Sequence, residues 1–174
     1  NLFGMGTILK LMAEVSSERS EYQISYTEPW LLDKPYTVGV ELYSRERKYD
    51  EYRKETQGGA FRIGHQPIKR RLYLNYRFAH ERIEISEIAD NASVYIKNQE
   101  GKIVINSITP SITYNDVNNR MDPSDGLNAT LRVKYAGTFL GGDADFVKLT
   151  GEVSYYQPLS SKFVGVLHAE AGRI

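Results

Sequence analysis

Hydrophobic and polar residues alternate along most of the chain with a period of two. The pattern is clearest over residues 103–139, where two strands flank a turn at 116–126. In the second strand, Leu127, Ala129, Leu131, Val133, Tyr135 and Phe139 share one face, and Asn128, Thr130, Arg132, Lys134 and Thr138 share the other. Successive side chains of a strand point to opposite faces. The segment therefore predicts a β-hairpin with one apolar and one polar face.

The same alternation predicts seven further strands. They are expected at residues 9–15, 22–27, 36–45, 57–64, 72–81, 147–156 and 163–174. Two segments, 45–56 and 84–102, are expected to be polar loops, with one helical turn at 86–91. Every second connection contains proline, namely 28–35, 65–70, 117–126 and 157–161. An up-and-down meander would gather these turns at one rim and the other loops at the opposite rim.

The polar faces carry charges of both signs in nearly equal number. Six of them are expected to face the interior of a closed sheet: Arg77, Glu81, Arg132, Lys134, Lys148 and Glu152. Charges removed from bulk water are costly unless they are paired. We therefore expect Glu81 to pair with Arg77, and Glu152 with Lys148. An acid/base role for the two glutamates has no fixed geometry to support it.

Length, charge and cysteine content narrow the class of protein. The 174 residues suit one domain, residues 1–174, and 22 basic residues balance 22 acidic ones. A net charge of zero argues against a general nucleic-acid binder, so no nucleic-acid partner is expected. The chain has no cysteine, which excludes disulfides and thiolate metal sites. No apolar run approaches the roughly 18 residues of a membrane-spanning helix.

Strand length favours a membrane protein over a soluble one. Strands in soluble proteins usually run about five or six residues, whereas several of these alternations persist for the roughly 9 to 11 residues that cross a bilayer at a tilt. The mean hydropathy of −0.46 is compatible with a barrel, because a polar and an apolar face average out. The sequence predicts an all-β, antiparallel, up-and-down transmembrane β-barrel of eight to nine strands. A soluble ligand-binding β-domain is the alternative.

No residue pattern predicts catalysis or metal binding. His65, His80 and His168 fall on separate strands or turns without ligand spacing. Gly-x-Ser-x-Gly, phosphate-loop and Cys/His motifs do not occur in the sequence. We expect no enzyme activity, no cofactor and no metal.

The turn at 113–126 resembles the periplasmic turn of a known family, the BamA-like outer-membrane assembly and two-partner-secretion proteins. Their turn runs roughly aromatic, Asp, Arg, Asn, spacer, Asp-Pro-Thr and Gly. The motif positions in this chain are Tyr114, Asp116, Arg120, Asp122, Pro123 and Gly126. Ser124 replaces the threonine, and residues 118–120 depart from the usual order.

Other segments carry the same resemblance over essentially the whole chain. Residues 1–6 are similar to the start of the first barrel strand of the family, and residues 26–31 to the turn after the second strand. Residues 141–150 and 155–159 resemble a later loop and the eighth strand. The resemblance implies the first half of a sixteen-stranded barrel in the bacterial outer membrane, with POTRA domains before it and about seven strands after it in family members.

The resemblance also implies a function. Family members insert and fold other barrels without covalent catalysis, and the edge of their first strand receives the C-terminal strand of a client by β-augmentation. The candidate edge comprises Gly4, Gly6, Thr7, Leu9, Leu11 and Ala13. The implied partners are outer-membrane lipid, client β-barrel proteins and the lipoproteins of the assembly machine. A passive pore or structural barrel is the alternative function, and the two glycines could simply mark a turn entering the first strand.

Two free edges in lipid would leave backbone groups unpaired. We therefore expect the isolated half either to close on itself as a barrel of about eight strands or to form a homodimer through its open strand edges. Nine runs cannot close in a purely antiparallel ring. One terminal run is consequently expected to be short or displaced if no dimer forms.

Overall fold

A computed structural model of the chain describes residues 6–68, 71–160 and 163–174. Nine β-strands dominate it. They are β1 (Ile8–Val15), β2 (Arg19–Glu28), β3 (Tyr36–Lys48), β4 (Arg53–Ile68), β5 (Leu72–Ser86), β6 (Gly101–Asn115), β7 (Gly126–Ala136), β8 (Phe146–Pro158) and β9 (Val164–Arg173). One short helix, α1 (Val94–Lys97), and two 3-10 turns, Leu31–Asp33 and Thr138–Leu140, lie between them.

The strands form one antiparallel sheet in chain order, from β1 to β9. Each strand pairs with the next one along the chain, which confirms the predicted up-and-down meander. In the described residues β1 and β9 do not pair with each other, so the sheet is open and the expected closure into a small barrel is not seen. No helix in the described ranges is long and apolar enough to cross a bilayer.

The predicted division of faces is confirmed by the strand register. One row of paired residues runs Val40, Phe61, Phe78 and Ile108 across four strands, and all of these residues are apolar. Large apolar side chains on this face are exposed, including Leu11 at 70% and Leu42 at 61%. An apolar face open to its surroundings is the surface that a bilayer covers in a barrel. We call it the outer face.

The buried residues of the nine strands lie on the opposite, polar face. Members of this set come from five different strands: Tyr43, Ala60, Ala79, Ile105, Ser107 and Ala136. Side chains on this face also meet across an intervening strand, as Tyr43 of β3 does with Glu81 of β5. Residues two strands apart are about 10 Å apart at the backbone. The sheet therefore curves toward its polar face, which we call the inner face.

Several strands are longer than the alternation predicts. The expected loop at 45–56 is a tight connection of residues 49–52, because β3 and β4 remain paired up to Lys48 and Arg53. Pairing at this end does not require alternation, since both faces carry polar residues. The backbone ladder and the ion pair between Arg53 and Glu46, at 2.8 Å, hold the strands together here. At its other end β4 continues to Ile68 through an irregularity after His65.

Two local predictions are wrong. The helical turn expected at 86–91 lies instead at α1, where the Ser93 side chain accepts a hydrogen bond from the Ile96 N–H and caps the helix. β7 ends at Ala136, so Phe139 is not a strand residue. Its ring stacks on that of Tyr135, with 5.3 Å between the ring centroids, so Phe139 packs beside the end of β7 without belonging to the strand.

Candidate functional site

The candidate pairing edge is the first strand of the sheet. β1 pairs with β2 along its whole length, and no described strand lies on its other side. Half of the N–H and C=O groups of such an edge strand have no ladder partner. The structure therefore presents a backbone template along β1.

The predicted edge residues differ in their surroundings. Leu9, Leu11 and Ala13 lie on the outer face of β1, opposite its inner-face residues Lys10 and Met12. Thr7 is buried, with 3% of its surface exposed. Gly6 has φ of +76°, a conformation that favours glycine at the entrance to the strand. Gly4 lies outside the described residues.

β1 has few side-chain ties in the described part of the chain, as has β9 at the opposite edge, where the one such tie joins His168 to Ser154. β1 has 8 residues, against 16 for β4. Its side chains make one ion pair, between Glu14 and Arg19 at 3.8 Å, and both partners are about half exposed. Exposed pairs of this kind contribute about 0 to 1 kcal/mol. β1 is therefore held mainly by its backbone ladder with β2.

Behind β1, a polar network joins the inner-face strands. The Tyr43 hydroxyl donates to Glu81 Oε1 at 2.6 Å, and Lys134 Nζ donates to Glu81 Oε2 at 3.1 Å. Glu81 thus connects β3 with β7 through β5. Arg77 extends the network, because its guanidinium lies 3.4 Å from the Tyr43 hydroxyl and 3.6 Å from Glu41. Its members are largely withdrawn from solvent, with 15% of the Glu81 side chain exposed.

A second cluster connects this network to β2. The Glu21 carboxylate accepts from Arg19 and from Arg45, the latter at 2.7 Å, and only 6% of its side chain is exposed. The Arg45 guanidinium lies over the Tyr43 ring at 4.3 Å from the centroid. Inner-face side chains therefore tie β2 to β7 in one continuous series.

The predicted pairing of the inner-face charges is wrong in detail. Glu81 pairs with Lys134 rather than Arg77, and Glu152 pairs with Arg132 at 3.4 Å. Residues four apart on one strand, as Arg77 and Glu81 are, stand about 13 Å apart. Partners must therefore come from other strands. Lys148 lies opposite Lys134 in the register and has no ion pair among the described residues.

The turn motif is built around its charged and aromatic members. Asp116 accepts from the Tyr114 hydroxyl at 3.2 Å and pairs with Arg71 at 3.0 Å. Arg120 contacts the Tyr73 hydroxyl, and its guanidinium lies 5.1 Å from the centre of that ring. Gly126 has φ of +112°, and a Cβ there would lie 2.1 Å from the Asp116 carbonyl oxygen. Only glycine fits this position without moving the backbone.

Asn118 is the main organiser of the turn, a role that the sequence motif did not predict. Its Oδ1 accepts from the backbone N–H groups of Asn119, Ser124 and Asp125 at 2.8, 3.1 and 3.2 Å. Its Nδ2 donates to the Ser124 hydroxyl at 2.7 Å. Asp122 makes no side-chain hydrogen bond among the described residues, and Pro123 lies beside it in the same turn. Asparagine side chains commonly close turns on the backbone, which is the signal that could have identified this residue.

The three histidines have separate partners. His65 Nδ1 lies 3.3 Å from the Pro35 carbonyl, His80 Nδ1 lies 2.7 Å from Asn106 Oδ1, and His168 Nδ1 lies 2.9 Å from the Ser154 hydroxyl. In the described ranges, no group of three or more His, Cys, Asp or Glu side chains could hold a metal ion.

A curved antiparallel meander with an apolar outer face and a charged inner face defines an outer-membrane β-barrel protein. The Omp85 superfamily domain matches residues 1–174, and the chain belongs to the Omp85 superfamily. Its sequence is 27% identical over 164 residues to the outer membrane protein assembly factor BamA of Nitratidesulfovibrio vulgaris (strain Hildenborough). That alignment covers 94% of this chain and 21% of the relative.

The fold is also similar to that of a solved BamA. The crystal structure of BamA from Haemophilus ducreyi lacking POTRA domains 1–3 superimposes with a TM-score of 0.79 at 18% identity. The superposition covers 99% of this chain and 36% of that one. The chain thus spans about a fifth of the length of the assembly-factor relative and about a third of the solved chain. The predicted family, barrel fold and bacterial outer-membrane localisation are confirmed.

Proposed function

We propose that the chain forms the β1-edge half of an outer-membrane assembly barrel, which guides client β-barrel proteins into the membrane. Its activity is non-covalent: the edge of β1 pairs with the terminal strand of a client and holds that strand in register. The observation that carries the proposal is the unpaired, weakly tied edge of β1 in a chain of the Omp85 superfamily. This class of activity is supported by the name of the relative, an outer membrane protein assembly factor.

The distribution of side-chain ties suits this role. Adding a strand to β1 requires an exposed ladder and the freedom to adjust it. β1 offers an exposed ladder because no described strand pairs with its outer edge. It can also adjust, because its one ion pair is exposed and weak. The inner-face network from β2 to β7 provides a rigid base against which that adjustment occurs. By the same proposal, the partners of this chain are the lipoproteins of the assembly machine, outer-membrane lipid and the client strand.

Disulfide cross-linking tests the proposal directly, because the chain contains no cysteine. A client barrel with one cysteine in its C-terminal strand is assembled in the presence of Leu9→Cys or Leu11→Cys variants. We expect cross-links at both β1 positions. The client residue that gives the highest yield should shift by two residues when the β1 cysteine moves from residue 9 to residue 11. An antiparallel or parallel register produces opposite directions of that shift.

Leu74→Cys provides the matched control, because Leu74 is an outer-face leucine of β5 with a strand paired on each side. No client cross-link is expected there. Equal yields at Leu74 and Leu11, or no yield on β1, would contradict the proposal. In a variant that carries Leu167→Cys on β9 as well, disulfides between β1 of one copy and β9 of another would favour the homodimer as the occupant of the edge.

A passive pore is the second candidate function, favoured by the mixed charges of the inner face. Arg132, Glu152 and Lys148 lie on this face, and their side chains would line a water-filled lumen. Planar-bilayer conductance without any effect on client insertion supports the pore. Faster client insertion supports assembly.

A further inference from the structure

A notch interrupts the outer face where its apolar region ends. One row of paired residues runs Leu42, Gly59, His80 and Asn106 across β3 to β6. Gly59 has no side chain. The Leu42 Cδ2 methyl group lies 3.0 Å from where its Cβ would stand and no His80 atom lies within 4 Å of that point, so the gap lies between the methyl group and the histidine. The gap forms part of an open groove of about 580 Å³. Phe61 and Phe78 line its apolar end.

The opposite wall of the notch is polar and fixed. Asn106 Nδ2 donates to the Leu140 carbonyl at 2.9 Å, which makes Asn106 Oδ1 the acceptor for His80 Nδ1–H at 2.7 Å. This bonding leaves His80 Nε2 available at the groove. It also fixes the 3-10 turn Thr138–Leu140 over the outer face, with Leu140 lining the groove.

An unpaired cation lies one row beyond the notch. The next row toward the loops is Ser44, Gln57, Arg82 and Val104. Arg82 is exposed and makes no ion pair or hydrogen bond among the described residues, whereas its neighbour Lys102 pairs with Glu84 at 3.3 Å. Two residues of a strand span about 7 Å. Arg82 is therefore within side-chain reach of the polar end of the groove.

We propose that this notch binds one lipid with an anionic, phosphorylated headgroup from the membrane leaflet on the side of loops 49–52, 87–100 and 137–145. Its acyl chain lies over Gly59, against Phe61 and Phe78. Its phosphate pairs with Arg82, and His80 Nε2 hydrogen-bonds to the headgroup. Three observations select this occupant: the groove opens on the face that a bilayer covers, its apolar floor points toward the membrane centre, and its cation stands at the polar boundary.

Native mass spectrometry of the protein released from detergent micelles tests the proposal, with phosphatidylglycerol and phosphatidylcholine as probes. We expect the unmodified protein to retain one phosphatidylglycerol molecule in preference to phosphatidylcholine. Arg82→Gln should weaken phosphatidylglycerol retention about fivefold, as expected for one basic residue at an anionic headgroup, and leave phosphatidylcholine unchanged. Gly59→Val fills the notch and should weaken retention of both lipids.

Two outer-face variants away from the notch serve as matched controls. Gly151→Val adds the same side chain on β8, where the nearest atom to an added Cβ is 3.9 Å away, and Arg173→Gln removes a cation of β9. Neither should change retention. Equal phosphatidylglycerol retention by the parent and Arg82→Gln, or no preference between the two lipids in the parent, would overturn the proposal. Arg82 is exposed and has no partner among the described residues, so Arg82→Gln should fold normally. That variant therefore still tests the proposal if Gly59→Val fails to fold.

Discussion

Tyr43 donates a 2.6 Å hydrogen bond to Glu81 across the strand that separates them. The bond spans from β3 to β5 and passes over Gly58 of β4, whose missing side chain leaves room for the tyrosine ring. Lys134 of β7 donates a hydrogen bond to the other carboxylate oxygen of Glu81. One glutamate thus ties three strands together and fixes the curvature of the sheet behind β1.

Removing either end of this bond should destabilise the barrel. A hydrogen bond to a charged group contributes about 1.5–3 kcal/mol, so Tyr43→Phe should lower the free energy of unfolding by that amount. Glu81→Gln should cost at least as much, because Lys134 then loses its counter-charge. Urea unfolding in vesicles, followed by gel mobility, measures both. The double variant should reveal a coupling energy of about 1 kcal/mol or more.

Tyr76→Phe is the control for this cycle, since Tyr76 lies on the outer face with 46% of its surface exposed. It should leave the free energy of unfolding nearly unchanged. Additive effects of Tyr43→Phe and Glu81→Gln would show that the two side chains do not interact in the membrane.

Gly58 should tolerate no side chain. A Cβ at this position would lie 2.7 Å from the His80 carbonyl oxygen and 3.0 Å from the Tyr43 ring and hydroxyl. Gly58→Ala should therefore cost about 1–3 kcal/mol through overpacking. Gly151→Ala, with 3.9 Å to its nearest neighbour, should be nearly neutral in the same unfolding measurement. A neutral Gly58→Ala would mean that the Tyr43 ring does not cross β4 at this point.

The turn between β6 and β7 should depend on Asn118 more than on Asp122. Asn118→Ala removes an acceptor for three backbone N–H groups and should lower the free energy of unfolding by about 1–3 kcal/mol. Asn118→Asp keeps that acceptor but loses the Nδ2 donor to Ser124, and should cost less. Asp122→Ala should have little effect, because Asp122 has no side-chain hydrogen bond in the described structure. An equal loss for Asn118→Ala and Asp122→Ala in urea unfolding would contradict this assignment.

The sequence predicts the strands and their faces because a bilayer imposes period-two alternation wherever a strand crosses it. Leu72, Leu74, Tyr76 and Phe78 illustrate this, since every one lies on the outer face as expected. The alternation stops where the strands leave the apolar region. The extension of β3 and β4 to Lys48 and Arg53 therefore had no pattern to indicate it.

Residue partners in the network were harder to predict than faces. The sequence places Glu81 on the polar side, but its partner depends on the register of β5 against β7, two strands away. That register follows from the lengths of two loops and the curvature of the sheet. Asn118 was missed for a different reason: its role depends on the path of a ten-residue turn, which the charged motif residues around it do not specify.

The most direct test of the central claim is the rate at which a client β-barrel protein inserts into lipid vesicles that contain this protein. The backbone N–H groups of successive strand residues point to opposite sides of the strand. Of the two variants Lys10→Pro and Leu11→Pro, one therefore removes an N–H donor from the free edge of β1, and the other removes a donor from the ladder with β2. Proline is tolerated on the free side of an edge strand. The proposal predicts faster insertion with the unmodified protein, and a return to the rate of protein-free vesicles for the folded edge-facing variant. The proposal would be contradicted if the unmodified protein made insertion no faster than in protein-free vesicles. It would also be contradicted if both proline variants accelerated insertion as much as the unmodified protein does.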